Sequence, residues 1–354
     1  MTAEFDLLRD LVLAPGPSGF EEPVQEVVRA RVGAVAPPAT DVLGNVTATV
    51  NPGATPSVVV AAHADQIGLQ VTWVDPAGFV YFDKLGGVDP LLLPGRAMVI
   101  HAKDGPVLGV VGKRPTHMIP EAERGKAADL KDQWIDIGAA DHDAALARVS
   151  GGDAITFAPH FVELAPGIVA GRALDDRCGL WVACRALELY ARAGGAASLT
   201  LLSTVQEETR YMGAAAYSRS QRPDCLFVVD GDFATDQPEV DAKKGRGVVE
   251  LGKGPVIARG SCSHKRLFAL ACAVAEAEGI PYQVKAYVSP TQTDADELQV
   301  WPDVANLNLA VPMRYMHSPF EVVRGQDAEW TAALVAALVR RLGEVYEPGL
   351  FTTP

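Results

Sequence analysis

The sequence predicts an α/β protein whose α/β domain is interrupted by an all-β module. Three observations carry this. Apolar runs of strand length alternate with segments of helical period before about residue 68 and again after about 170. Between them the texture changes to short β-like runs broken by Gly, Pro and Asp turns. At 354 residues, 48% hydrophobic and 21% charged, the chain has core material for about two domains. The expected division is 1–67 together with 166–354 for the split α/β domain, and 68–165 for the insert.

Taken in order, FEEPVQEVVRARVG (20–33) has the spacing of an amphipathic helix closed by a glycine. SVVVAA (57–62) is apolar at every position but its first and reads as a buried strand. Within the insert, LQVTWV, GFVYFD, AMVIHA, VLGVVG, WIDIG and AITFA are short β-like runs. Helical spacing returns at Leu180, Trp181, Cys184 and Leu187, and Gly194-Gly195 ends it. LTLLST (199–204), CLFVVD (225–230) and NLNLAVPM (306–313) read as further strands. Helices are expected over 264–279 and 328–346. No solenoid repeat and no low-complexity tract is present.

Lysine and arginine total 31 against 44 aspartates and glutamates, a formal charge of −13. That balance disfavours nucleic acid, which needs a basic face, and an anionic membrane. No apolar run reaches the roughly 20 residues of a membrane helix. Glu4, Asp6, Arg9 and Asp10 interrupt any signal-peptide core, so a cytoplasmic protein is expected. The five cysteines include no CxxC and are expected as reduced core thiols.

Ionisable side chains recur at the downstream ends of the expected strands: His63, the Asp175-Asp176 pair, Glu207-Glu208, Asp230 and His317. Open α/β sheets form their sites at that edge. Each feature alone has a bland reading, such as a helix cap or a solvated turn. Together, two histidines and several carboxylates match a divalent metal site. Their number suits two ions sharing one carboxylate, which can acidify a water and polarise a carbonyl. A further carboxylate must take the water's proton, and Glu207 and Glu208 can divide the roles of base and ligand. Asp65, two residues after His63, is placed to orient the imidazole. Glu321 reads as structural rather than as another ligand.

At these residues the chain resembles the M42 metallo-aminopeptidases, the glutamyl-aminopeptidase and TET-like group. The matching segments are PGPSGFEEPV (15–24), HADQIG (63–68), GRALDDRCG (171–179), TVQEE (204–208) and RYMHSPFEVV (314–323), with GGVDPLLLPGRAMVIHAKDGPVLGVVGKRPTHMIP (86–120) in the insert. The resemblance implies a mixed-sheet metallopeptidase domain of the phosphorylase/hydrolase-like kind, with an inserted PDZ-like dimerisation domain. It implies that His63 and Asp230 hold one ion, Glu208 and His317 a second, that Asp175 bridges them, and that Glu207 is the general base. Two divalent ions per subunit follow, zinc first, with cobalt or manganese as options. Peptide substrates and a dimer-based homo-oligomer of up to twelve subunits also follow.

The chain departs from the family pattern at Gln66, where glutamate is usual, at Thr209-Arg210-Tyr211-Met212, at Gly231-Asp232-Phe233 and around 289–299. These fall where a preferred side chain would be read. Asp232 is a candidate to hold the substrate's α-amine. Two other functions compete: a binuclear deacylase of N-acyl amino acids or amino sugars, and an inert scaffold with a vestigial site. Serine, cysteine and nucleotide-binding motifs are absent.

Overall fold

The computed structural model describes residues 5–119, 121, 129–245, 247–288 and 290–351. Before the strand at its centre come α1 (Asp6–Leu13), α2 (Glu22–Val32), β1 (Pro38–Thr40) and β2 (Val46–Val50). That central strand, β3 (Ser57–His63), is buried from Val58 to its end. Its alternate residues serve two cores. Val58, Val60 and Ala62 face one hydrophobic cluster, and Val59 and Ala61 face the other. A strand apolar on both faces must be covered on both, which is why helices pack on either side. Each buried valine contributes about 1.5–3 kcal/mol relative to exposure.

The insert follows as β4 (Gly68–Val74), β5 (Val80–Leu85), β6 (Ala97–Ala102), β7 (Gly105–Lys113), β8 (Gln133–Asp136), α3 (His142–Leu146) and β9 (Ala154–Phe157). Its six strands close into a barrel in the order β4-β5-β8-β7-β6-β9. The barrel has its own core, including Leu69, Met98, Ile100, Ile135 and Ile155. On β7, Val107 and Val111 point inward, while Leu108 and Val110 are exposed, the period-2 alternation of a one-sided strand.

The chain then returns through β10 (Phe161–Ala165) and β11 (Ile168–Gly171) into α4 (Leu174–Ala193), β12 (Ser198–Thr204), α5 (Glu207–Arg210), α6 (Met212–Ser220) and β13 (Cys225–Phe233). The remainder is β14 (Val256–Gly260), α7 (Lys265–Ala277), β15 (Gln283–Tyr287), α8 (Ala295–Leu298), β16 (Ala305–Arg314), β17 (Glu321–Arg324) and α9 (Gly325–Val345). The large sheet runs β1-β2-β12-β3-β13-β16-β17-β11-β10, with β14 and β15 branching from β16. It is mixed, as expected. β12, β3, β13 and β16 are mutually parallel, and antiparallel strands flank them.

The expected insert ran to residue 165, yet β10 pairs antiparallel with β11 in the large sheet. The barrel strands end at Phe157. One further difference is α9, which begins three residues before the expected 328; α4 has non-helical dihedrals at Asp175 and Asp176 and is regular only after them. Among the described residues no helix is long and apolar enough to cross a membrane, and all five cysteines are free thiols.

Candidate metal centre

One edge of the large sheet collects the ionisable residues. His63 is the last residue of β3 and pairs in register with Thr204 at the end of β12. Glu207 and Glu208 follow Thr204 directly after a two-residue turn. Asp230 lies in β13, and His317 three residues beyond β16. β11 is antiparallel to β17, and β17 to β16, so β11 points the same way as the parallel strands. It therefore brings Asp175 to the same edge. Four residues beside these groups, Ala173, Gln206, Tyr315 and His317, have positive φ between 55° and 63°. Side-chain-bearing residues rarely adopt that conformation, and it clusters where geometry is held for function.

Asp175 lies between the two histidines. Its Oδ1 is 3.4 Å from His63 Nε2, and its Oδ2 is 3.3 Å from His317 Nε2. Glu208 Oε2 lies 3.6 Å from His317 Nε2, and Glu207 Oε2 4.0 Å from His63 Nε2. Two groups bring one donor atom per residue within 4.8 Å of one another: His63, Asp175 and Glu208, and His63, Asp176 and Asp230. All five expected ligands and the expected base thus share one cluster. Asp176, which the sequence reading gave no role, joins them.

Asp65 is fully buried and supports several members at once. It accepts hydrogen bonds from the Glu207 N–H at 2.9 Å, the Glu208 N–H at 3.1 Å and the Ser18 hydroxyl at 2.6 Å. His63 Nδ1 lies 3.4 Å from its Oδ1 without hydrogen-bond alignment. Glu321 is the other buried support. Its Oε2 accepts from the Asp175 N–H at 3.0 Å, and its Oε1 from the His317 N–H at 2.8 Å. The barrel contributes the Gly86-Gly87 turn. A Cβ on Gly87 would collide with the His317 ring, and one on Gly86 would crowd Glu208.

The cluster's electrostatics ask for cations. Burial, and then neighbouring carboxylates, push Glu207 up to about 11 and Glu208 up to about 8. Burial likewise raises Asp176 and Asp230 well above the carboxylate range. Burial alone would lower His63, but Glu207, Asp175, Asp65 and Asp230 overcome it and raise the imidazole well above its usual value. Burial opposes Asp175 too, yet contacts to His317 and His63 hold it below the usual range. The buried atoms Asp175 Oδ1, Asp176 Oδ2 and His63 Nδ1 have no hydrogen-bond partner. Imidazole and carboxylate donors crowded in this way, with buried lone pairs unused, fit divalent cations.

A cleft of about 580 Å³ opens onto the cluster. Its outer wall includes Tyr211, Asp232, Phe233, Lys285 and Tyr287. Asp232, the candidate to hold a substrate amine, already has a donor on each oxygen. Its Oδ1 accepts from Lys285 Nζ and its Oδ2 from the Tyr287 hydroxyl at 2.8 Å.

The family profile described as M42 glutamyl aminopeptidase matches residues 44–334. The chain belongs to the M42 peptidases. A lysyl aminopeptidase of Pyrococcus furiosus is 35% identical over 346 residues, covering 96% of this chain and 97% of that one. Among solved structures, a TET aminopeptidase from a marine sediment Thaumarchaeota archaeon aligns with TM-score 0.90 at 29% identity, covering 96% of each chain. The TET1 peptidase of Pyrococcus horikoshii, described as assembling into a tetrahedron or a large octahedral shell, aligns with TM-score 0.85 at 29% identity. It covers 95% of this chain and 99% of that one. This M42 chain is accordingly a hydrolase of the aminopeptidase kind, removing N-terminal residues.

Proposed function

We propose that this M42 peptidase works with two divalent ions and uses Glu207 as its general base. The observation that carries the reading is the placement of Asp175, with one carboxylate oxygen toward His63 and the other toward His317. His63 and Asp230 would hold one ion, Glu208 and His317 the other, and Asp175 both. Zinc suits these donors, as do cobalt and manganese. Bound there, such ions would polarise the scissile carbonyl and acidify the attacking water. Glu207 takes the proton from that water and delivers it to the leaving amine. Asp65 fixes the base by holding its backbone N–H, and Ser18 holds Asp65 in turn.

The division expected from the sequence, 1–67 with 166–354 for catalysis and 68–165 for a PDZ-like dimerisation insert, is proposed with its second boundary moved ahead of β10, which pairs in the large sheet. The exposed Trp73, Leu108 and Val110 on the barrel support a contact between subunits. The tetrahedron or large octahedral shell described for the Pyrococcus horikoshii neighbour supports a homo-oligomer, and the dodecamer described for a further TET1 structure supports one of twelve subunits.

The deciding experiment titrates zinc, cobalt and manganese into chelated protein. It compares a free-amine aminoacyl anilide with its N-acetylated form. The expected result is metal-dependent cleavage of the free amine alone, saturating at two ions per subunit. Cleavage of only the acetylated form would establish the deacylase instead.

A further inference from the structure

The chain leaves the barrel at Phe157 and enters the large sheet at Phe161, through Ala158, Pro159 and His160. Each end of this connector is tied down. The Ala158 N–H donates to Ala97 O on β6 at 2.9 Å, so that residue still belongs to the barrel. Phe161 pairs with Gly171 in the large sheet. His160 therefore sits where the two modules meet. Its half-buried ring reaches a third segment, the turn 315–320 that joins β16 to β17 and carries His317. Nε2 lies 2.6 Å from Pro319 O, and Nδ1 lies 2.9 Å from Ala158 O. The Phe320 ring lies against the imidazole, with centroids 3.8 Å apart.

That turn needs holding. Tyr315 and His317 have positive φ, 59° and 63°. The conformation costs energy for a residue with a side chain and persists only where the surroundings enforce it. Glu321 accepts the His317 N–H, and the Ser318 N–H donates to Tyr315 O at 3.1 Å within the turn. Pro319 has no N–H, so its carbonyl is its one backbone hydrogen-bonding group. His160 takes that carbonyl from 159 residues away in the chain. A neutral imidazole donates from one nitrogen, and the shorter contact assigns that proton to Nε2. A second proton adds the bond from Nδ1 to Ala158.

We infer that His160 is a positioning residue for the metal centre: by donating to Pro319 O it locks the 315–320 turn against the barrel exit and so holds His317 facing Asp175 and Glu208. His317 Nε2 lies 3.3 Å from Asp175 Oδ2 and 3.6 Å from Glu208 Oε2, two residues before the carbonyl that His160 holds. The inference rests on the two-ion reading above and bears on one ion, that proposed at Glu208 and His317. A ligand that must be ordered on binding gives up affinity, and a turn freed from His160 would have to be ordered. His63 and Asp230, proposed for the other ion, lie on β3 and β13 and are placed by the sheet itself.

The test is calorimetric titration of zinc into the chelated full chain. His160→Phe keeps a ring and its stack on Phe320 but has no donor. His160→Gln can put its amide nitrogen near the place of Nε2, and His160→Asn near that of Nδ1. His160→Phe and His160→Asn should weaken one of the two zinc sites by about 10–100-fold and leave the other as it is. His160→Gln should recover most of that loss. His317→Ala identifies the affected phase of the titration by removing it. Wild-type affinity at both sites in His160→Phe overturns the inference. An equal loss at both sites also overturns it, and a lowered melting temperature of the chelated variant would mark that loss as a general loosening of the fold. Should His160→Phe not fold, the comparison of His160→Gln with His160→Asn decides alone, and equal affinities in those two overturn the bond to Pro319 as the cause. Wild-type protein that saturates at one zinc per subunit overturns both this inference and the two-ion reading.

Discussion

Glu321 Oε1 accepts the backbone N–H of His317 at 2.8 Å. Its other oxygen accepts the N–H of Asp175 at 3.0 Å, so one buried carboxylate sets the backbone at two proposed ligands from different segments. An amide cannot reproduce this, because its NH₂ group would face one of the two N–H donors. Glu321→Gln and Glu321→Ala should both weaken metal binding by about 10–100-fold, the usual cost of losing a support behind a ligand. Calorimetric titration of chelated protein checks this. Unchanged affinity would show that the ligands hold themselves.

Glu207 is the proposed base, and Glu207→Gln keeps its size while removing its basicity. Turnover should fall by about 10²–10⁴-fold with two ions still bound per subunit. The paired readout is kcat on an aminoacyl anilide and metal content by elemental analysis. Near-full turnover with both ions present would move the base elsewhere.

Gly87 belongs to the barrel yet touches the metal cluster, and the space for its Cβ is taken by the His317 ring. Gly87→Ala must push His317 or the turn aside. A displacement of about 1 Å at a reacting centre costs about 10²-fold in rate. Activity should fall by that order, and the ion proposed at Glu208 and His317 should be lost first on dialysis. A variant that keeps both rate and stoichiometry would show that the turn yields freely.

Much of the fold was legible because its central strands are apolar on both faces. The stretches 57–62, 199–204 and 225–230 need only length and composition to be read. The six barrel strands were legible from their turn residues. By contrast, β10, β14, β15 and β17 are four or five residues long, and partners distant in the sequence define them. His63 and Asp230 could be found because a charge ending an apolar strand is unusual. Asp176 was hidden because two acids before a helix look like a cap. The positive φ of Gln206 and His317 has no sequence signal, since neither is glycine. Asp232 looked available because its neutralising partner, Lys285, lies 53 residues away.

Gln66 occupies a place where charge is missing. Arg172 and Arg177 are both buried, and each donates to the same neutral oxygen, Gln66 Oε1, at 3.4 and 3.3 Å. Burial lowers both guanidiniums, to about 10 and about 9. Gln66→Glu would turn two contacts between a charged donor and a neutral acceptor into hydrogen-bonded ion pairs, with repulsion from the adjacent Asp65 opposing them. A net gain of about 1–2 kcal/mol is expected, raising the melting temperature of the metal-loaded protein by a few degrees. A lower melting temperature would mean that Asp65 dominates.

The same crowding of carboxylates fixes the pH response of the metal-free protein. Glu21 is raised to about 7, chiefly by burial, as is Asp294, and Glu208 to about 8. A carboxylate raised in the folded state holds its proton longer there than in the unfolded chain. Its stabilising contribution is complete below about 4.5 and is lost as pH rises through the folded value. His317, raised to about 9 because contacts with Asp175 and Glu208 outweigh burial, acts in the same direction over that range. Asp65 and Asp175 are lowered and act oppositely, but only below about pH 4. Between pH 5.5 and 8 the chelated protein should therefore lose stability with rising pH. Zinc or cobalt should reverse the slope, because the ions bind the deprotonated donors and displace their protons. Thermal unfolding at pH 5.5 and pH 8, with chelator, with zinc and with cobalt, gives the six melting temperatures required. A chelated protein more stable at pH 8 would show that the cluster's acids are already ionised without cations.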